Sequence, residues 1–128
     1  MRQSVWTLNG IVLRDLDPPP LQPGWVRLKV AACGICGSDL HRYRHPTDGG
    51  TPGHELVGTV LAADKPMPET LYAVEPWLAC GTCDYCLAGQ RQHCRSGRLL
   101  GAQVAGGLAD FVDAVSYTHL RAHETGRN

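Results

Sequence analysis

The chain has no excess charge of either sign: twelve lysines and arginines balance twelve aspartates and glutamates over 128 residues. Nothing global therefore gathers nucleic acid or an anionic membrane. A long apolar run is also missing. The longest are strand-sized, well short of the roughly 18 residues that cross a bilayer. The opening MRQSVWTLNG has neither the apolar core nor the small-residue cleavage site of a secretory signal, so the expected compartment is the cytoplasm, where thiols stay reduced. Absent too is a G-x-G-x-x-G unit between a strand and a helix, and with it the usual cradle for a dinucleotide pyrophosphate. Internal repeats and low-complexity segments are lacking as well.

What is present suits one modest core, with 43% hydrophobic residues. WVRLKVAA (25–32) sets Val26, Leu28 and Val30 against Arg27 and Lys29, the period of a half-buried strand. DPPPLQPG before it is a rigid, donor-poor connection. Residues 55–62, 71–77, 98–104 and 108–114 read as further short strands between Gly and Pro breakers. Only SDLHRYR (38–44) and part of CDYCLAGQRQ (83–92) have the look of short helices. Many short strands with glycine-rich turns predict a mainly β barrel or sandwich whose chemistry lies in its loops.

Four of the six cysteines, Cys80, Cys83, Cys86 and Cys94, form C-x2-C-x2-C-x7-C within 80–94. Tetrahedral zinc takes four thiolates at about 2.3 Å, and two-residue gaps let neighbouring cysteines wrap one ion. An iron–sulfur cluster is the rival occupant, and a set of reduced thiols the plainest alternative. Four protein ligands leave no place for substrate, so a zinc here would be structural. Arg91, Arg95 and Arg98 keep open a non-catalytic zinc module that contacts protein or nucleic acid, although no aromatic-rich patch accompanies them.

A second constellation lies upstream in ACGICGSDLHRY (32–43) and PGHELVG (52–58): Cys36, Ser38, Asp39, His41, His54 and Glu55. A thiolate and an imidazole can hold zinc and still leave positions open, which lets a metal polarise an oxygen. Singly, His54 could be an ordinary hydrogen-bonded histidine, Asp39 or Ser38 a helix cap, and Cys36 a small buried hydrophobe. Cys33 and Cys36 could also be a redox pair, but no βαβ pattern surrounds them.

CGICGSDLH, PGHELVG, CGTCDYCLAGQRQHC and GGLADF (106–111), in that order, resemble the N-terminal part of the zinc-dependent medium-chain alcohol dehydrogenases. The resemblance spans most of residues 1–114. It implies a GroES-like, partly open β-barrel with short helices and a zinc-binding loop. It also implies Cys36 and His54 as ligands of a catalytic zinc, with Glu55 either binding the ion or lying just behind its ligands, and Asp39 orienting the ligand histidine. Ser38 would take the alcohol's proton and His41 would pass it to solvent. Cys80, Cys83, Cys86 and Cys94 would hold a structural zinc.

The implied parent adds an α/β Rossmann domain for NAD or NADP, is a homo-oligomer, and oxidises a small-molecule alcohol or polyol to a carbonyl. This chain would be an inactive fragment of it, with another catalytic-zinc ligand lying downstream. DKPMPETLYAVEPW departs from the family's Gly-Asp-Arg-Val-like turn.

Val115 to Thr125, VSYTHLRAHET, resembles something else: the translation of a transposase adapter used in short-read library preparation. Residues 115–128 are therefore expected to be an artefactual tail, and His119 and His123 are set aside despite their H-x3-H spacing. Without the tail, ten basic residues face eleven acidic ones, so the neutral balance persists.

Overall fold

The structure is a computed structural model that describes residues 1–115 and, as backbone, Leu120–Ala122. A hairpin of β1 (Arg2–Thr7) and β2 (Gly10–Asp15) comes first. The central sheet has the order β8-β3-β4-β5-β9, from β3 (Trp25–Gly34), β4 (Glu55–Ala63), β5 (Leu71–Val74), β8 (Phe111–Val115) and β9 (Leu120–Ala122). A two-stranded ribbon joins β6 (Trp77–Leu78) to β7 (Arg98–Leu99). Every one of these strand pairings is antiparallel. The helices are α1 (Gly37–Arg44) and the single-turn α2 (Asp84–Leu87), followed by a 3-10 turn at Arg91–His93. The fold is thus mainly β with open sheets, as expected. Among the described residues no helix is long and apolar enough to cross a membrane.

Strand β3 organises the core. Val26 and Leu28 are fully buried and pack with Leu56, Val74, Leu78, Leu100, Val112 and Ala114. Arg27 points the other way but does not simply meet water. It sits opposite Asp113 in the β3–β8 register, and its Nε and Nη2 donate to the two carboxylate oxygens at 2.8 Å each. Nη2 also donates to Pro19 O at 2.7 Å, which ties the proline-rich connection to the sheet. The Asp113 hydrogen bond raises the arginine's pKa against a smaller opposing effect of burial.

Three sequence expectations change in detail. The hairpin β1–β2 was not anticipated, because β2 (GIVLRD) has exposed residues on both faces and so lacks a one-sided alternation. The expected strand 71–77 breaks between β5 and β6 at Glu75-Pro76, since proline cannot donate to a ladder. The expected strand 98–104 shrinks to Arg98–Leu99. Beyond it the chain turns at Gly101, whose φ of 82° is in the left-handed region, and leaves only an isolated bridge between Leu100 and Val104.

Leu120–Ala122 falls within the segment expected to be a tail. Its backbone pairs with Tyr72–Val74 on the outer side of β5. An open strand edge accepts any extended backbone, so this pairing carries no sequence information by itself. His119 and His123 lie outside the described residues.

Candidate functional site

The loop between β6 and β7 brings Cys80, Cys83, Cys86 and Cys94 together, with all four sulfurs within 4.8 Å of one another. Four thiolates on a tetrahedral ion at about 2.3 Å would sit about 3.8 Å apart. The Cys80–Cys86 and Cys83–Cys94 sulfur separations are 3.9 and 4.0 Å. The donor set therefore suits one zinc ion, and none of the six cysteines of the chain is in a disulfide.

Local structure explains the cluster. Cys83 precedes α2 and Cys86 lies one turn along it, while Gly81 and Gly89 turn the chain with φ of 77° each. Thr82, not singled out from sequence, directs its N–H at Cys80 Sγ (3.4 Å) and its hydroxyl at the same sulfur (3.6 Å). These donors, the Thr82 N–H foremost, together with the Cys83 N–H, push the Cys80 thiol down to about 5. Burial pushes Cys86 up to about 12, so the unliganded cluster holds charge unevenly. Arg95 is paired rather than presenting free charge. It makes a two-pronged ion pair with Asp84 at 3.0 and 2.9 Å and lies over the Tyr85 ring at 5.1 Å.

The uneven charge sets an order of reactivity. In the metal-free protein at pH 7, Cys80 is expected to alkylate first with iodoacetamide, because its thiol is already ionised there and the reactive form is the thiolate. Its rate should stay level as pH falls from 7 and decline only near 5. Peptide mapping after brief labelling checks this, and zinc should protect the residue.

The second cluster is built by a chain crossing. Strand β3 ends at Gly34 opposite Glu55, and Cys36 then leads into α1. From the other side, Thr51-Pro52-Gly53 is clasped by backbone donors from Gly106 (to Thr51 O, 2.9 Å), Gly107 (to Gly53 O, 2.8 Å) and Leu108 (to Pro52 O, 3.0 Å). Gly53 has a φ of 101°, and a Cβ there would come within 2.6 Å of Cys33 Sγ. A Cβ on Gly106 would collide with the carbonyls of Pro52 (2.5 Å) and Gly53. The glycines are thus the reason the two segments can touch, and His54 emerges at the end of the clasp. Cys36, His54 and Glu55 have ligand atoms within 4.8 Å of one another, with Cys36 and His54 half-buried and Glu55 exposed.

The other sequence candidates fall around this trio. The hydrogen bond that the structure gives Asp39 goes to the Cys36 N–H (2.9 Å) and not to His54, so Asp39 caps α1 and pins the cysteine's backbone. Ser38 and His41 stand exposed on α1. Cys33 is a half-buried thiol whose pKa is raised, first by burial and then by the charges of Asp39 and Glu55. Sequence reasoning misses the role of Gly53 and Gly106, although Gly106 opens the GGLADF motif. It also misses Trp77, whose indole N–H donates to Arg91 O at 2.8 Å and fastens the cysteine lobe to the barrel.

The fold and its two donor clusters define a small β domain with one closed thiol cluster and one open mixed cluster. Residues 22–123 match the alcohol dehydrogenase GroES-like domain family, and the chain belongs to that family. It is 36% identical over 116 residues to an alcohol dehydrogenase of Geobacillus stearothermophilus, covering 83% of this chain and 34% of the relative.

Among solved structures, galactitol-1-phosphate dehydrogenase from Escherichia coli superimposes with a TM-score of 0.86 at 29% identity, over 98% of this chain and 38% of that one. Acetophenone reductase from Geotrichum candidum, in complex with NAD, gives 0.86 at 29% identity, over 99% and 41%. The chain spans about a third of the length of the curated relatives it matches.

Proposed function

We propose that this chain is the metal- and substrate-binding portion of a zinc-dependent oxidoreductase that oxidises an alcohol or polyol to a carbonyl and passes hydride to NAD or NADP. The observation that carries the reading is the Cys36–His54–Glu55 trio: a thiol, an imidazole and a carboxylate converge within 4.8 Å of one another and are, among the described residues, a three-donor set where the cysteine loop has four. A zinc held there supplies Lewis-acid polarisation of a substrate oxygen. The donor set, one thiol, one imidazole and one carboxylate, is chemically suited to that ion.

The residues around the trio divide the rest of the work. Asp39 holds the Cys36 backbone so that its sulfur faces His54. The Ser38 hydroxyl takes the proton of the substrate alcohol, and the exposed His41 imidazole releases it to water. The cysteine loop stays out of the chemistry and stiffens the domain. Hydride acceptance belongs to a dinucleotide held by other residues of a longer parent, in keeping with the NAD and NADP found in related structures. The 128 residues alone are therefore expected to turn over nothing. We read residues 1–114 as the domain portion and residues 115–128 as an appended tail, against a family match that runs on to residue 123. A cytoplasmic location and a homo-oligomeric parent complete the reading.

A non-catalytic zinc module is the competing class, and metal stoichiometry separates the two. Cobalt(II) substitution is expected to show one tight site and one weaker site. His54→Ala should lower the affinity of the weaker site by about ten- to a hundredfold and leave the tight one intact. If cobalt absorption is the same in His54→Ala, Cys36→Ser and the unaltered chain at every metal concentration, the open site does not exist.

A further inference from the structure

We propose that His41 and His45 form a third metal site, a bidentate surface chelate for a borderline cation such as Ni2+ or Cu2+. The two histidines are four residues apart, so α1 brings them to one side, and their rings meet with centroids 4.7 Å apart at an interplanar angle of 42°. Metal–nitrogen bonds of about 2.0–2.1 Å, with about 1.1 Å from ring nitrogen to ring centre, place two imidazoles on one ion with centres about 4.5–5.2 Å apart for bond angles of about 90–109°. The observed separation lies inside that window.

The backbone holds the pair in place as well. His45 ends the helix, and its N–H donates to His41 O at 2.9 Å, so the C-terminal turn carrying both rings is closed. Both side chains are exposed, which leaves room for water in the other coordination positions. Two arginines, Arg42 and Arg44, lie between the histidines in sequence, and Arg42 is engaged elsewhere. Its Nε donates to Thr47 Oγ1 at 2.7 Å, its Nη2 to Gly49 O at 2.6 Å, and its guanidinium lies over Trp6, so its charge is turned toward the 47–50 loop. Arg44, between the two histidines in sequence, is exposed to solvent.

The site is separate from the Cys36–His54–Glu55 trio, which shares none of its ligands. Its consequence, which rests on the function proposed above, is inhibitory. A cation on His41 occupies the electron pair that would otherwise receive the substrate's proton. Excess transition metal would then slow the parent enzyme without displacing the catalytic ion.

The test is binding, not turnover. The full chain, with His119→Ala and His123→Ala to remove the other H-x3-H pair, is saturated with zinc, freed of excess metal and titrated with Ni2+. The histidine ring protons are followed by NMR. One further equivalent should bind, with the His41 and His45 signals broadened first and the His54 signals later or not at all. His45→Gln should weaken this binding at least tenfold while circular dichroism shows α1 and the sheets unchanged.

Equal Ni2+ affinity in His45→Gln, or broadening that spares His41 and His45, overturns the chelate. Failure of the open zinc site would show instead as fewer zinc equivalents at the saturation step, and would leave the Ni2+ result readable.

Discussion

Cys94→Ser is expected to abolish tight zinc binding and to loosen the whole segment from Cys80 to Gly97. Structural zinc in small domains is worth about 10–16 kcal/mol of apparent binding energy, or about 2.5–4 kcal/mol for each of four thiolates if shared equally, so one lost thiolate should weaken affinity about a hundred- to a thousandfold. Cys94 is the ligand to change because it is the buried one and also accepts the Cys80 N–H at 3.2 Å.

The lobe has little else to hold it. Its helix is one turn long, and the Arg95–Asp84 pair is about two-thirds exposed on both sides, where ion pairs contribute about 0–1 kcal/mol. Trp77 reports the change, since its indole is fastened to Arg91 O and lies where a Cβ on Gly97 would be. Zinc counting by competition with a chromogenic chelator, together with a red shift of tryptophan emission, checks the expectation. A Cys94→Ser protein that keeps one zinc at unaltered affinity would show that the loop is not a four-thiolate site.

Gly106→Ala is expected to destabilise the domain by about 3 kcal/mol or more, the upper end of what overpacking costs, because the added carbon meets backbone and not a movable side chain. Pro52 O would lie 2.5 Å away and Gly53 O closer still. Relief requires the 51–53 segment to withdraw, which breaks the Gly106 bond to Thr51 O and carries His54 away from Cys36. The change should lower the melting temperature by roughly 10–15 °C for a domain of this size. It should also weaken the open metal site while sparing the cysteine loop.

Gly24→Ala serves as the comparison. Its φ of 77° strains an alanine, but no atom outside its neighbours lies within 4 Å of the new Cβ, so the expected cost is only about 1–2 kcal/mol. Equal melting temperatures for the two variants would mean that the crossing does not hold the site.

Much of the fold was legible because it depends on local pattern. The alternation of Val26 and Leu28 with Arg27 and Lys29 marked β3, whose buried face is the centre of the core. The short helix expected over 38–44 is present as Gly37–Arg44. β2 was not legible, since a hairpin strand exposed on both faces shows no one-sided period. The break at Glu75-Pro76 could have been read from proline's missing donor. The short extent of β7 could not, because it depends on where Gly101 turns against Gly53, more than forty residues away in sequence.

Chemistry divides in the same way. The cysteine loop could be read as one zinc-sized cluster from spacing alone, since its ligands lie on one short stretch whose two-residue gaps and single turn leave them little freedom. Sequence also named Cys36, His54 and Glu55, by likeness to a family, but nothing local dictates that they meet. That meeting required β3 and β4 to pair so that Gly34 faces Glu55, and required glycines at 53 and 106 to let two backbones cross without side chains between them. Asp39, open between helix cap and histidine partner when read as a letter, is a helix cap in three dimensions. Residue type and spacing determined what the chain could bind. Non-local backbone packing, which no short window of sequence encodes, decided which of those residues stand within reach of one ion.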